Sequence, residues 1–145
     1  MKTRIHAIAG GIGFLTILTF WTSTIYSEAF GTHETIIAVK NAIVWGLLIL
    51  VPSMAIVGGS GMSLGKKRRG KLIEAKKKRM PIIALNGVLV LIPCAFFLAS
   101  KANAGNFDTI FYTVQALELA AGALNLALMG MNIRSGLIMS GRIGR

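Results

Sequence analysis

Apolar residues fill this chain in four long runs separated by short polar or charged intervals. The runs extend from Ile5 to Tyr26, from Ile36 to Val57, from Met80 to Ser100 and from Thr109 to Met131. Each is close to the roughly 20 apolar residues that a helix needs to cross a hydrocarbon core of about 30 Å. No sustained alternation of apolar and polar residues occurs. A backbone in lipid must also satisfy its own hydrogen bonds, which a helix does within a single segment. The pattern therefore predicts an all-α fold: one domain, residues 1–145, built as a four-helix transmembrane bundle. Short connections predict an antiparallel up-down-up-down order. Gly58-Gly59-Ser60-Gly61 predicts the end of the second helix. Pro81 falls in the first turn of the third, where its missing N–H is harmless. Pro93 lies inside that helix and predicts a kink. A loop at 62–79 and a tail at 132–145 complete the organisation.

Charge orients this arrangement. Nine Lys and Arg crowd between Lys66 and Arg79, and the net charge is +11. Basic loops stay on the cytoplasmic side of a membrane. Lys2 and Arg4, the basic loop, and Arg134, Arg142 and Arg145 all fall on one side, which leaves Lys40 and Lys101 for the other. Both termini are thus expected in the cytoplasm, in a multi-pass protein of the cell inner (plasma) membrane. Trp21, Tyr26, Phe30, Phe107 and Tyr112 fall near the outer interface as an aromatic belt. The basic loop, with Glu74 and Lys78 spaced to pair if it is helical, is expected to lie on anionic lipid headgroups. It has no interleaved aromatics, so no nucleic-acid partner is expected. Lys2 and Arg4 before the first run and Ser27-Glu28-Ala29 after it loosely fit a secretory signal. The run is as long as a full span, so a retained first helix is expected. At 54% hydrophobic and 14% charged the chain is far from the roughly 25% charged residues of soluble domains. The single cysteine, Cys94, lies in an apolar run and reads as a buried, inert thiol.

Few residues remain that could carry chemistry. Gln115, Glu118, Gly122 and Asn125 recur at i, i+3, i+7 and i+10, one polar seam along the fourth helix. A carboxylate near the bilayer midplane is costly and marks a functional candidate. Lys40 enters the same half of the membrane and makes a candidate intramembrane pair with Glu118. The pair serves catalysis or transport (proton relay, ion coordination, quinone contact) or glues helices two and four. Asn86 and Asn125 would add interhelical hydrogen bonds.

The two histidines are expected at opposite membrane faces. His33, in Gly31-Thr32-His33-Glu34-Thr35, reads as an exposed loop residue or as a metal, quinone or haem contact. Thr32 is placed to cap the second helix. His6 is followed by Gly10 and Gly13 at i+4 and i+7, on one face. In this the first helix resembles those of membrane b-type cytochromes, in which glycines beside a histidine let a flat macrocycle approach the backbone. The resemblance covers the first helix only. It implies haem b on His6 as iron ligand and electron transfer to or from quinone. A second ligand would come from Met54 or Met129, or from His6 of another copy across a homodimer interface. The alternative is that Gly10 and Gly13 permit close helix packing and that His6 is interfacial. Three functions follow: a small cytochrome-like protein, a small transporter or channel-like protein using Glu118, or a non-catalytic subunit or assembly factor of a larger complex.

Overall fold

The computed structural model describes residues 1–144; Arg145, counted above with the basic residues, lies outside the described residues. Four helices make up the fold: α1 (Lys2–Phe30), α2 (His33–Lys66), α3 (Lys71–Asn103) and α4 (Thr109–Met139). All four are long and apolar enough to cross a membrane, and no strand occurs among the described residues. They outrun the apolar segments that predict them. The 34 residues of α2 extend to about 50 Å, well beyond a hydrocarbon core of roughly 30 Å.

The basic interval is therefore mostly helix. Only residues 67–70 form a turn, closed by Gly70 at φ 139. Gly58 to Gly61 stay helical within α2, because glycine weakens a helix by about 1 kcal/mol without ending it. Pro81 sits in the interior of α3 instead of its first turn. Pro93 follows a π-turn, Gly87–Leu91, in which the Ile92 N–H donates five residues back to the Gly87 carbonyl. At the opposite end, Thr32 Oγ1 accepts from the Thr35 N–H at 3.3 Å and Asp108 Oδ1 from the Phe111 N–H at 2.9 Å. These caps start α2 and α4.

Consecutive helices run antiparallel, as their contacts show. His6 meets Ser60 and Phe20 meets Gly46 between α1 and α2. Asn41 and Asn103 exchange amide hydrogen bonds of 2.8 and 3.0 Å between α2 and α3. Asn86 meets Asn125, and Arg79 meets Asn132, between α3 and α4. The bundle thus has a basic end and, opposite it, an end carrying Glu28, Glu34 and Asp108.

Three apolar clusters stack along the axis. Ile36, Leu98, Ala102 and Phe111 pack near the acidic end, Ile43, Leu47 and Ala95 lie below them, and Ile17, Ile83 and Met129 sit nearer the basic end. Outside, Trp45 is 73% and Leu89 66% exposed. Large apolar side chains on the outer face suit a bundle surrounded by lipid. Gly10 and Gly13 are turned against Val57 and Met54 of α2. Their face is covered within the chain.

Candidate functional site

The seam of α4 turns into the bundle. Asn86 Nδ2 donates to Asn125 Oδ1 at 2.9 Å and to the Ala121 carbonyl at 2.8 Å. Gly122 makes room for an indole: a Cβ there would stand 3.0 Å from Trp21 Cδ1. Trp21 Nε1 donates to the Leu119 carbonyl at 2.9 Å. Trp21 is therefore wedged between α1 and α4, a different position from the interfacial belt expected of it.

One step along the seam, Lys40 Nζ lies 3.7 Å from Glu118 Oε1, with the Lys40 side chain 1% and the Glu118 side chain 13% exposed. That separation exceeds a hydrogen bond, so the pair is held by charge. Thr24 and Glu28 lie on α1 one and two turns beyond Trp21 toward the acidic end. The Trp21–Leu119 bond therefore sets them level with Glu118 and Gln115. Sequence reasoning missed Glu28, which falls at the edge of the first apolar run. The signal was present in Trp21, Thr24 and Glu28, spaced i, i+3 and i+7 on one face. The buried atoms Thr24 Oγ1, Glu28 Oε1, Gln115 Nε2 and Oε1, and Glu118 Oε2 have no hydrogen-bond partner, nor does Lys40 Nζ. Glu118 and Glu28 both act on Lys40, and Thr24 and Gln115 lie one helical turn from Glu28 and Glu118 on their own helices. Cys94 is buried and free.

A cavity of about 940 Å³ runs from the basic end to Glu118. Its lining on α1 extends from Thr3 to Trp21, a length of about 27 Å at the helical rise. The walls are apolar, with Ile17, Leu47, Met54, Ile83 and Met129 among them. The mouth is cationic: Arg4, Arg68, Lys76, Lys77 and Arg142 surround it, and His6 stands just inside. Glu74 is the only acidic side chain near this end among the described residues, and no ion pair forms there among them. Among the described residues, five cations thus rim an apolar cavity without an ion-pair partner.

His6 Nδ1 lies 2.9 Å from Ser60 Oγ, which fixes the imidazole against α2. A Cβ on Gly61 would stand 3.2 Å from His6 Cε1 and 3.1 Å from Met80 Sδ, so the Met80 sulfur lies near His6. Met54 and Met129 converge instead on Gly13, about 10 Å deeper along α1. His33 is the first residue of α2 and lies at the acidic end, exposed and stacked on Phe107 with ring centroids 4.0 Å apart. The structure thus gathers His6, Gly10, Met54, Met129 and Glu118 around one cavity, joins Lys40 to Glu118, and leaves His33 apart. Among the described residues no three His, Cys, Asp or Glu form a group able to hold a metal ion. No protein-family model matches the chain, and neither a curated protein nor a solved structure matches it.

Proposed function

We propose that this is an inner-membrane protein with its basic end in the cytoplasm, and that it binds an anionic amphiphile inside its four-helix bundle. The observation that carries this reading is the cavity. It offers an apolar shaft of about 27 Å for a long hydrocarbon body, and a ring of unpaired Arg and Lys at its mouth for an anionic head. The mouth sits where cytoplasmic-leaflet headgroups would lie, so such a molecule enters with its head already at the right depth. Burying a hydrocarbon body inside the protein gains little over lipid. The uncompensated cations, each worth about 1 kcal/mol toward an anion near the membrane surface, supply the preference.

The test uses the protein's own fluorescence. In Trp45→Phe, Trp21 is the remaining tryptophan, and it lines the cavity. A long-chain fatty acid brominated along its tail should quench Trp21, whereas its methyl ester should bind far less. Charge reversal at Arg68 and Lys76 should remove at least about 2 kcal/mol, on the order of thirtyfold in affinity. Equal quenching by acid and ester, unchanged by the reversals, would refute the proposal.

His6 favours a second reading within the same cavity: haem b, an apolar macrocycle with two carboxylates. The residues fit its chemistry. His6 is oriented by Ser60, the Met80 sulfur is close by, the apolar walls suit the ring, and the cationic mouth suits the carboxylates. Haem b would supply one-electron redox chemistry, and quinone would be its membrane partner. Under this reading His6 ligates, Ser60 holds the imidazole in place, and Arg4 and Arg68 neutralise the carboxylates. A Soret band in the purified protein, lost in His6→Ala, would establish it. A colourless protein that also takes up no added haemin would rule it out.

A further inference from the structure

A set of unpartnered polar atoms lies at and beyond the cavity's inner end, away from its cationic mouth, and the cavity reading does not use it. It is drawn from three helices: Thr24 and Glu28 of α1, Lys40 of α2, and Gln115 and Glu118 of α4. Lys40 and Thr24 are each 1% exposed and Gln115 is 4% exposed, yet the polar ends of all three side chains lack hydrogen bonds. A buried amide with neither its N–H nor its C=O paired carries the desolvation penalty of both groups, which a bound ligand would relieve. The oxygens Thr24 Oγ1, Glu28 Oε1, Gln115 Oε1 and Glu118 Oε2 are hard ligands of the kind that alkali and alkaline-earth cations take.

Charge narrows the choice. Glu28, Lys40 and Glu118 act on one another electrostatically. Two carboxylates against one ammonium leave one negative charge in excess. A single positive charge balances it; a divalent ion would leave an excess of the opposite sign. The other titratable groups facing the cluster are Cys94 from α3 and His33, beside Glu28. Access comes from the acidic end, because Glu28 is only half-buried. That half of the protein carries Glu28, Glu34, Asp108 and Glu118 against Lys40 and Lys101, and Lys101 is engaged by Asp108 at 2.8 Å. A cation is drawn toward this end and an anion is not.

We infer that Glu28, Glu118, Thr24 and Gln115 form a binding site for one monovalent cation, an alkali ion or a proton. The ion enters past Glu28, and Lys40 is the tethered charge that holds the site together when it is empty. An alkali ion bound there is held by the four oxygens, with Lys40 displaced toward Cys94. A proton taken up there resides on one of the two carboxylates, leaving the other to pair with Lys40. No residue of the cationic mouth takes part, and the site meets the cavity only at Glu118.

The experiment is thermal unfolding of the full-length protein in mild detergent, in choline, sodium and potassium chloride at equal ionic strength, across pH 5 to 8. A bound ion raises Tm by mass action. Alkali binding predicts a Tm that rises with sodium or potassium but not with choline, and a midpoint concentration raised at least about tenfold in Glu28→Gln. Proton binding predicts no difference between salts and a pH-dependent Tm whose slope is lost in Glu28→Gln. Glu28 is partly exposed, so Glu28→Gln disturbs the packing less than a change at Glu118; Gln115→Leu, which removes one oxygen without touching charge, checks it independently. A Tm indifferent to cation, with a pH slope unchanged in both variants, would overturn the inference.

Discussion

The Lys40–Glu118 pair invites a double-mutant cycle. At 3.7 Å and an effective dielectric of about 20, the attraction between the two charges is about 4.5 kcal/mol. Removing one partner of a buried pair costs about 3–5 kcal/mol, because the survivor is left charged without compensation. In Lys40→Met, the survivor is Glu118, which escapes by taking a proton. For an ordinary carboxylate that costs about 3.7 kcal/mol at pH 7 and about 1 kcal/mol at pH 5. The single variant should therefore lose about 3–4 kcal/mol at pH 7 and much less at pH 5. Lys40→Met with Glu118→Met fills similar space without charge and should return to within about 1 kcal/mol of the parent, giving a coupling energy of at least about 2.5 kcal/mol at pH 7. The assay is reversible unfolding in mixed micelles, followed by tryptophan fluorescence. A coupling energy near 0.6 kcal/mol, the average of ordinary interhelical hydrogen bonds in membranes, would refute the reasoning. So would a cost in Lys40→Met that does not change between pH 7 and pH 5.

Two further outcomes are expected. Gly46→Ala should cost about 1–3 kcal/mol, since the new Cβ falls on the Phe20 ring; Phe20→Leu in the same chain should recover much of the lost Tm. Asp108 is held below the usual carboxylate range, first by its hydrogen bond from Lys101 and then by the Phe111 N–H. A depressed carboxyl contributes stability that is fully present above its unfolded value of about 3.9 and is lost as pH falls through the lower folded value. Tm measured from pH 6 down to pH 2.5 should fall below about pH 4 in the parent, and less in Asp108→Asn.

The four spans were legible because lipid demands about 20 apolar residues in each, and nothing else in the chain resembles that demand. The helix ends were not, because a helix leaving the membrane needs no apolar residues; Lys71 to Arg79 carry α3 into water as readily as Leu carries it through lipid. The same truncation hid Glu28, which lies beyond the apolar run but within α1. The inward turn of Gln115, Glu118, Gly122 and Asn125 could be read from their spacing, since a polar stripe on a spanning helix avoids lipid. Trp21 could not be placed this way: its wedge position depends on the small residue opposite it, Gly122, 101 positions later in the chain. Proximity of Met80 to His6 likewise needs the third dimension.

The π-turn at Gly87–Leu91 has a consequence for how α3 serves two neighbours. An added residue in one turn advances the winding by about 100°, the angle between successive side chains. Asn86, before the insertion, reaches α4 through Ala121 and Asn125. Ala95, after it, packs on Ile43 and Leu47 of α2. A deletion of one residue between 87 and 91 would therefore turn Ala95 and the rest of the span by about 100° and carry it off its seat on α2, like a mis-set gear.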